Sequence, residues 1–206
     1  MNASPEAGEP KERTVDLTSL KVLAHPLRVQ ILERLSRHGA QTSSSLAEVL
    51  GESSGATSYH LRQLAKHNFV REVAGKGTGR ERWWERPPGA LNIPGRDLAG
   101  DPAGREALRL VNREFEQLRG TALTDFMTHG LEELPAEWVD ASSINTHHLH
   151  MTVEEMEAAS RALEEATNRI LAPYRADKRE RPEDARPIEV HLNSFPLVDG
   201  QRRDHT

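Results

Sequence analysis

Ser53-Ser54-Gly55-Ala56-Thr57-Ser58-Tyr59-His60-Leu61-Arg62-Gln63-Leu64-Ala65-Lys66-His67-Asn68-Phe69-Val70 is the stretch on which the reading of this chain turns. At about 100° per residue, the angular step of an α-helix, Thr57, Leu61, Leu64 and Asn68 fall on one side. Tyr59, Arg62, Gln63 and Lys66 fall on the other, with Ser58 and His60 on the flanks. Ser53 or Ser54 supplies a hydroxyl of the kind that caps a helix N-terminus. Taken alone, this is an amphipathic helix with a polar outer face, the ordinary design of a solvated surface helix. Its neighbours give that outer face a second meaning.

Upstream, Leu17, Leu20 and Leu23 recur at helical spacing and stop at His25-Pro26, where proline disfavours helix at the residue before it and suits the first position of the next. A second helix follows on the stripe Leu27, Ile31 and Leu35, with Val29 and Leu32 alongside, and Gly39 closes it. Thr42 three residues before Ser45, then Leu46, Ala47 and Leu50 with Gly51, predict a short third helix. The third and fourth helices are thus joined by a turn of the length found in helix-turn-helix pairs. Downstream, Phe69-Val-Arg-Glu-Val-Ala74 and Arg80-Glu-Arg-Trp-Trp-Glu-Arg86 flank Gly75-Lys76-Gly77-Thr78-Gly79, which reads as a β-hairpin with a flexible basic tip.

Charge follows the same division. Residues 14–86 hold 11 Lys+Arg against 7 Asp+Glu, a net of +4, whereas residues 87–206 hold 14 against 22, a net of −8, within a total of −5. A basic segment suits a polyanion and the acidic remainder would be repelled by one. A helix N-terminus favours phosphate, and Arg, Gln, Ser and Tyr reach base edges in a major groove. The expected DNA-facing set is therefore Ser54, Ala56, Ser58, Tyr59, Arg62, Gln63 and Lys66 on the fourth helix, with Lys76, Arg80 and Arg82 on the hairpin. Hairpin cations suit a narrow minor groove or flanking phosphates. His60 divides between a phosphate contact and a hydrogen-bonded interior histidine. Of the adjacent Trp83 and Trp84, which face opposite ways on a strand, Trp84 is the one expected in the core.

Residues 15–86 resemble the winged helix-turn-helix domain of ArsR-type bacterial transcription regulators. The resemblance rests on Leu20-Lys-Val-Leu-Ala-His-Pro-Leu-Arg-Val-Gln-Ile-Leu32, Leu46-Ala-Glu-Val-Leu-Gly51, Ser58-Tyr-His-Leu-Arg-Gln-Leu64 and Phe69-Val70. It covers about a third of the chain and implies a dimeric repressor or activator that inserts the helix from Ser54 to Asn68 into the major groove. Ser54, Ser58 and Tyr59 match positions that usually touch DNA in such proteins, and Arg62 is a plausible addition. Many members sense metals through cysteines on the third helix or ligands on the last. Here the third helix reads Ser-Ser-Ser-Leu-Ala-Glu, with neither cysteine nor histidine, and more than a hundred residues follow the wing.

The rest of the chain is less explicit. Residues 1–13 carry prolines, glycine and charges without apolar periodicity and read as a disordered tail, and residues 199–206 are assigned as a C-terminal tail. Four prolines and four glycines between 87 and 104 predict a linker or an extended arm. A long helix is expected in the region 105–140, where Leu108, Val111, Phe115 and Leu118 form a seam that wants a partner helix and is assigned to dimerisation. Residues 141–198 read as strand, helix, strand, with Thr152-Val-Glu-Glu155 as a capping box. If those strands pair, His148, His150 and His191, with His147 nearby, would converge. No carboxylate or cysteine spacing supports that metal site, and none is assigned.

The 206 residues, 36% hydrophobic and 29% charged, allow one or two small domains. No apolar run approaches the roughly 20 residues of a membrane span, and the N-terminus lacks the pattern of a signal peptide, so a cytoplasmic protein is expected. The chain has no cysteine, which excludes disulfides and thiol chemistry. No phosphate-cradling loop or nucleophile elbow is present, so neither a cofactor nor an enzyme is expected. The fold class is α+β, mainly helical: a winged helix-turn-helix, a long dimerisation helix and a small C-terminal unit. The leading function is a sequence-specific regulator acting as a homodimer on an inverted-repeat operator in double-stranded DNA. Effector control, with the C-terminal unit as the site, is the less favoured use of that unit. The rival is a winged-helix interaction adaptor that works through the acidic C-terminal half.

Overall fold

The computed structural model describes residues 13–77, 81–89, 91–174 and 182–198. The chain divides into two compact units at residue 143.

In the first unit the helix boundaries follow local chemistry. Helix α1 (Leu17–Leu23) is capped by Asp16, whose carboxylate accepts from the Ser19 N–H at 2.7 Å. Helix α2 (Pro26–His38) starts with proline at its first turn and ends at Gly39, where φ is 75°. Thr42 and Ser45 form a reciprocal capping box on α3 (Ser43–Leu50), and Gly51 closes that helix in the left-handed conformation. Helix α4 (Ser54–Lys66) is capped by Ser53, whose Oγ accepts from the Ala56 N–H at 3.1 Å.

The far end of α4 corrects the wheel. Asn68 is exposed, with φ of 53°, so it terminates the helix and does not line its inner side. The Phe69 N–H donates to the Leu64 carbonyl at 2.9 Å and the Asn68 N–H to that of Ala65 at 3.0 Å, the double bond of a Schellman motif. That motif turns Phe69 back against Leu64, and both side chains are buried.

Strands β2 (Gln41–Thr42), β3 (Arg71–Glu72) and β4 (Trp83–Glu85) form an antiparallel sheet in the order β2-β4-β3, with Gln41 opposite Trp84 and Arg71 opposite Glu85. The wing is therefore tied to the start of α3. Trp84 is buried in the main core with Leu20, Ile31, Leu46, Leu61 and Phe69, whereas Trp83 is half-buried.

Two expectations are corrected here. Arg13 belongs to a two-residue strand, β1 (Arg13–Thr14), which pairs in parallel with β5 (Leu91–Asn92). Its guanidinium donates to the His67 carbonyl and lies 4.2 Å from the Phe69 ring centroid. Residues 1–12 and 199–206 of the expected tails lie outside the described residues. The segment 87–104 is packed and not a linker: after β5 comes helix α5 (Gly95–Leu98), with Leu98 buried in the core. A Cβ at Gly104 would run into the Leu98 carbonyl, so glycine there permits the close approach of α5 to the next helix.

That next helix, α6 (Pro102–Glu133), packs on α1 and α2 through Ala107, Leu108 and Val111. Leu108 and Val111 therefore belong to this chain's own core and do not form a seam between copies. Phe115 is partly buried against that core and Leu118 is half-buried. A short helix, α7 (Ala136–Asp140), follows.

The second unit contains helix α8 (Val153–Leu171), opened by the Thr152–Glu155 capping box, and a 3-10 turn at Ala172–Tyr174. The expected strands on either side are not formed: among the described residues neither segment is a strand or joins a sheet. The three-histidine convergence fails with them. No group of three His, Cys, Asp or Glu among the described residues is placed to hold a metal ion, and His191 instead meets Glu189 at 3.2 Å.

Candidate nucleic-acid interface

Helices α3 and α4 meet through Gly51-Glu52-Ser53, and their packing sets which side of α4 faces out. Leu61 and Leu64 are buried, as is Thr57, whose hydroxyl donates to the Ser53 carbonyl at 3.1 Å. On the opposite side Ser54, Tyr59, Arg62 and Lys66 are exposed, Tyr59 to 49%, while Ala56, Ser58 and Gln63 are half-buried. The sequence-derived outer face is thus one continuous surface, centred on Tyr59, Arg62 and Lys66.

Arg62 and Ser58 also line an open cleft of about 580 Å³ with Thr42, Ser43 and Ser44 at the start of α3 and Glu81, Arg82 and Trp84 from the wing. Ser45 is engaged in the capping box, with its Oγ accepting from the Thr42 N–H at 3.1 Å. Ser43 and Ser44 are left on the cleft wall beside the first-turn amides of α3. Two guanidiniums and two hydroxyls around helix amides form an anion-accepting surface, and Glu81 tempers it. Sequence reasoning missed Ser43 and Ser44; the signal was the run of three serines, of which a cap uses one.

The wing places its cations unevenly. Lys76 is exposed, with its Nζ 4.1 Å from the Trp83 ring centroid. A Cβ at Gly77, where φ is 102°, would collide with the Glu81 carbonyl and the Trp83 ring, so glycine is required for this turn. Arg82 is exposed and pairs loosely with Glu72 at 3.6 Å, a contact worth little in water. Arg80 lies outside the described residues.

His60 has a definite structural role. Its Nδ1 accepts from the Arg28 Nε–H at 3.2 Å, while Arg28 donates through Nη1 to the Val22 carbonyl at 2.7 Å. Arg28 thereby joins α1, α2 and α4. The His60 ring lies 4.4 Å from that of His25 and meets Tyr59 edge-on at 5.2 Å. Burial holds the His60 pKa below the ordinary 6.5, the charges of His25 and Arg28 push the same way, and Glu52 opposes them. A neutral His60 is what the Arg28 hydrogen bond requires, because only an unprotonated Nδ1 accepts.

Among the described residues, no helix is long and apolar enough to cross a membrane. Residues 23–73 match the family described as a helix-turn-helix domain, which spans α2 to the first wing strand. No curated protein matches the chain. Among solved structures, the adhesin competence repressor AdcR from Streptococcus pyogenes overlaps 70% of this chain and 80% of its own at 12% identity and a TM-score of 0.31. An apo ZitR variant from Lactococcus lactis overlaps 71% and 83% at 16% identity and a TM-score of 0.32. A transcriptional regulator from Thermotoga maritima overlaps 75% and 90% at 11% identity and a TM-score of 0.29. Overlaps of this quality fix neither fold nor function.

Proposed function

We propose that this protein is a sequence-specific, DNA-binding transcription regulator that works as a homodimer. The observation that carries the reading is the outer face of α4, where Tyr59, Arg62 and Lys66 stand exposed on the second helix of a helix-turn-helix and beside a cleft lined by Ser43, Ser44 and Arg82. Helix α4 lies in the major groove. Ser54, Ala56, Ser58, Tyr59, Arg62 and Gln63 face base edges, and Lys66 faces phosphate. Lys76 and Arg82 follow the flanking backbone, with Arg80 expected beside them.

Two copies bind an inverted repeat whose half-sites lie one or two helical turns apart. With Leu108 and Val111 in the core, contact between copies on α6 falls to Phe115 and Leu118 and to the exposed Leu123, Met127 and Leu131 farther along that helix. The cytoplasm is the compartment this reading requires. Selection of bound duplexes from a random pool tests it. An enriched inverted repeat supports the reading, and recovery of unenriched sequence refutes it.

A further inference from the structure

His60 carries one imidazole nitrogen that its bond to Arg28 does not use. The Arg28 Nε–H can only donate, so His60 Nδ1 is bare and the proton of the neutral ring sits on Nε2. Among the described residues nothing accepts from that Nε2–H. Nor is it sealed away from solvent, since the buried side-chain nitrogens without a partner are Arg13 Nη1 and Arg34 Nε.

The ring is held in place. Arg28 lies on α2 and is tied to the Val22 carbonyl of α1 at 2.7 Å, so the Nδ1 edge of His60 faces the helices on which α4 packs. The Nε2–H leaves the ring in nearly the opposite direction. The exposed His25 ring at 4.4 Å and the Tyr59 ring, edge-on at 5.2 Å, flank the imidazole.

Position on α4 says what such a donor meets. Taking Arg62 as zero on the helical wheel, Tyr59 stands at about 60° and His60 at about 160°. Ser58 and Arg62 line the cleft shared with the wing, so His60 occupies the other flank of the outer face. A helix lying in a major groove presents the middle of its outer face to base edges and its two flanks to the phosphate backbones that wall the groove. One flank already has Ser43, Ser44 and Arg82 around it. On the other, α4 itself contributes Ala56, His60 and Gln63 and no cation.

We propose that His60 donates its Nε2–H to a backbone phosphate on the groove wall away from the wing, with Arg28 as the positioning residue that fixes the tautomer and the ring. The interior role and the phosphate role of this histidine are then one arrangement, each using one nitrogen. The acceptor is a phosphate and not a base edge because the half-buried side chain is short and turned about 100° from Tyr59. A neutral donor displaces no counterion, so it adds affinity without steepening the salt dependence. The inference rests on the DNA-binding reading above.

Affinity against salt is measured at about pH 8, where imidazole is neutral, for full-length wild type, His60→Leu and Arg28→Met on selected and random duplexes. His60→Leu should bind both duplexes about tenfold more weakly with an unchanged salt slope. Arg28→Met should lose a similar factor, with no further loss when the two substitutions are combined. Nitrogen-15 spectra of the imidazoles give a readout that needs no stable variant. Free wild type should show His60 as the Nε2–H tautomer, and duplex should slow exchange of that proton with solvent. Arg28→Met should admit the Nδ1–H tautomer. An Nδ1–H tautomer in free wild type, an Nε2–H that still exchanges freely in the complex, a loss confined to the selected duplex, additive losses, or a salt slope reduced by roughly 0.9 in His60→Leu would each overturn the proposal while leaving DNA binding intact. Wild type that binds no duplex at low salt would overturn the DNA-binding reading and this inference with it.

Discussion

Val111 decides whether the first half of α6 serves this chain or a second copy. Its side chain is fully buried, against α1 and α2 of the same chain. Val111→Ala removes two carbons, about 1.6 kcal/mol at roughly 0.8 kcal/mol per buried methylene. The cavity left in a packed core raises the cost to about 2–3 kcal/mol. With a urea slope of about 2 kcal/mol per molar, the midpoint should fall by about 1 M or slightly more. Tryptophan fluorescence is the readout, because Trp83 and Trp84 sit in the same unit. The measurement is repeated over a hundredfold range of protein concentration. A core residue gives the same drop from wild type to variant throughout, since any concentration term from association is common to both. A loss below about 0.5 kcal/mol, or one that vanishes at high concentration, would refute the core assignment and restore the intermolecular seam.

Asn68→Ala should cost about 1 kcal/mol, because its left-handed backbone tolerates asparagine and glycine better than alanine; Asn68→Gly should be neutral or stabilising in the same melts. Ser53→Ala should lose about 1 kcal/mol from the α4 cap; an unchanged midpoint would show that the 3.1 Å bond from the Ala56 amide contributes nothing. The His60 pKa is lowered in the folded state, so the stability tied to its neutral form is fully present above about pH 6.5 and is lost as pH falls through the lowered folded value. Wild type should therefore weaken more than His60→Gln on acidification below pH 6.5, and parallel pH profiles would remove His60 as a cause. Gly104→Ala should destabilise by about 1–3 kcal/mol through overpacking against α5, with a melting temperature equal to wild type as the contrary result.

The parts of this fold that were legible in the sequence are those whose cause is local. Thr42, Ser53 and Thr152 mark helix starts because a short oxygen side chain reaches its own first-turn amide. Trp84 and the inner face of α4 followed from alternation and the helical period. Asn68 was misplaced because an extended 3.6-residue period does not foresee where the backbone turns left-handed. Leu91 and Leu98 were hidden among prolines and glycines, where too few apolar positions remain to show a period. For Leu108 and Val111, spacing reveals that a helix buries a face but not which chain buries it. The segments beside α8 show strand alternation, while a ladder depends on a partner that the pattern does not name. Within the candidate interface, the outer face of α4 was readable, but the Arg28–His60 bond joins residues 32 positions apart and leaves no local signal.

The central claim is that α4 and the wing read duplex DNA, and affinity against salt for wild type and Arg62→Ala, on selected and random duplexes, tests it most directly. Log affinity should fall linearly with log salt, at roughly 0.9 per phosphate neutralised. Arg62→Ala should lose about 1–3 kcal/mol of preference for the selected sequence with little change on random duplex. Equal losses on both duplexes would reduce Arg62 to a phosphate contact. Absence of duplex binding at low salt would contradict the account outright and leave the acidic half of the chain as the working surface of a protein-interaction adaptor.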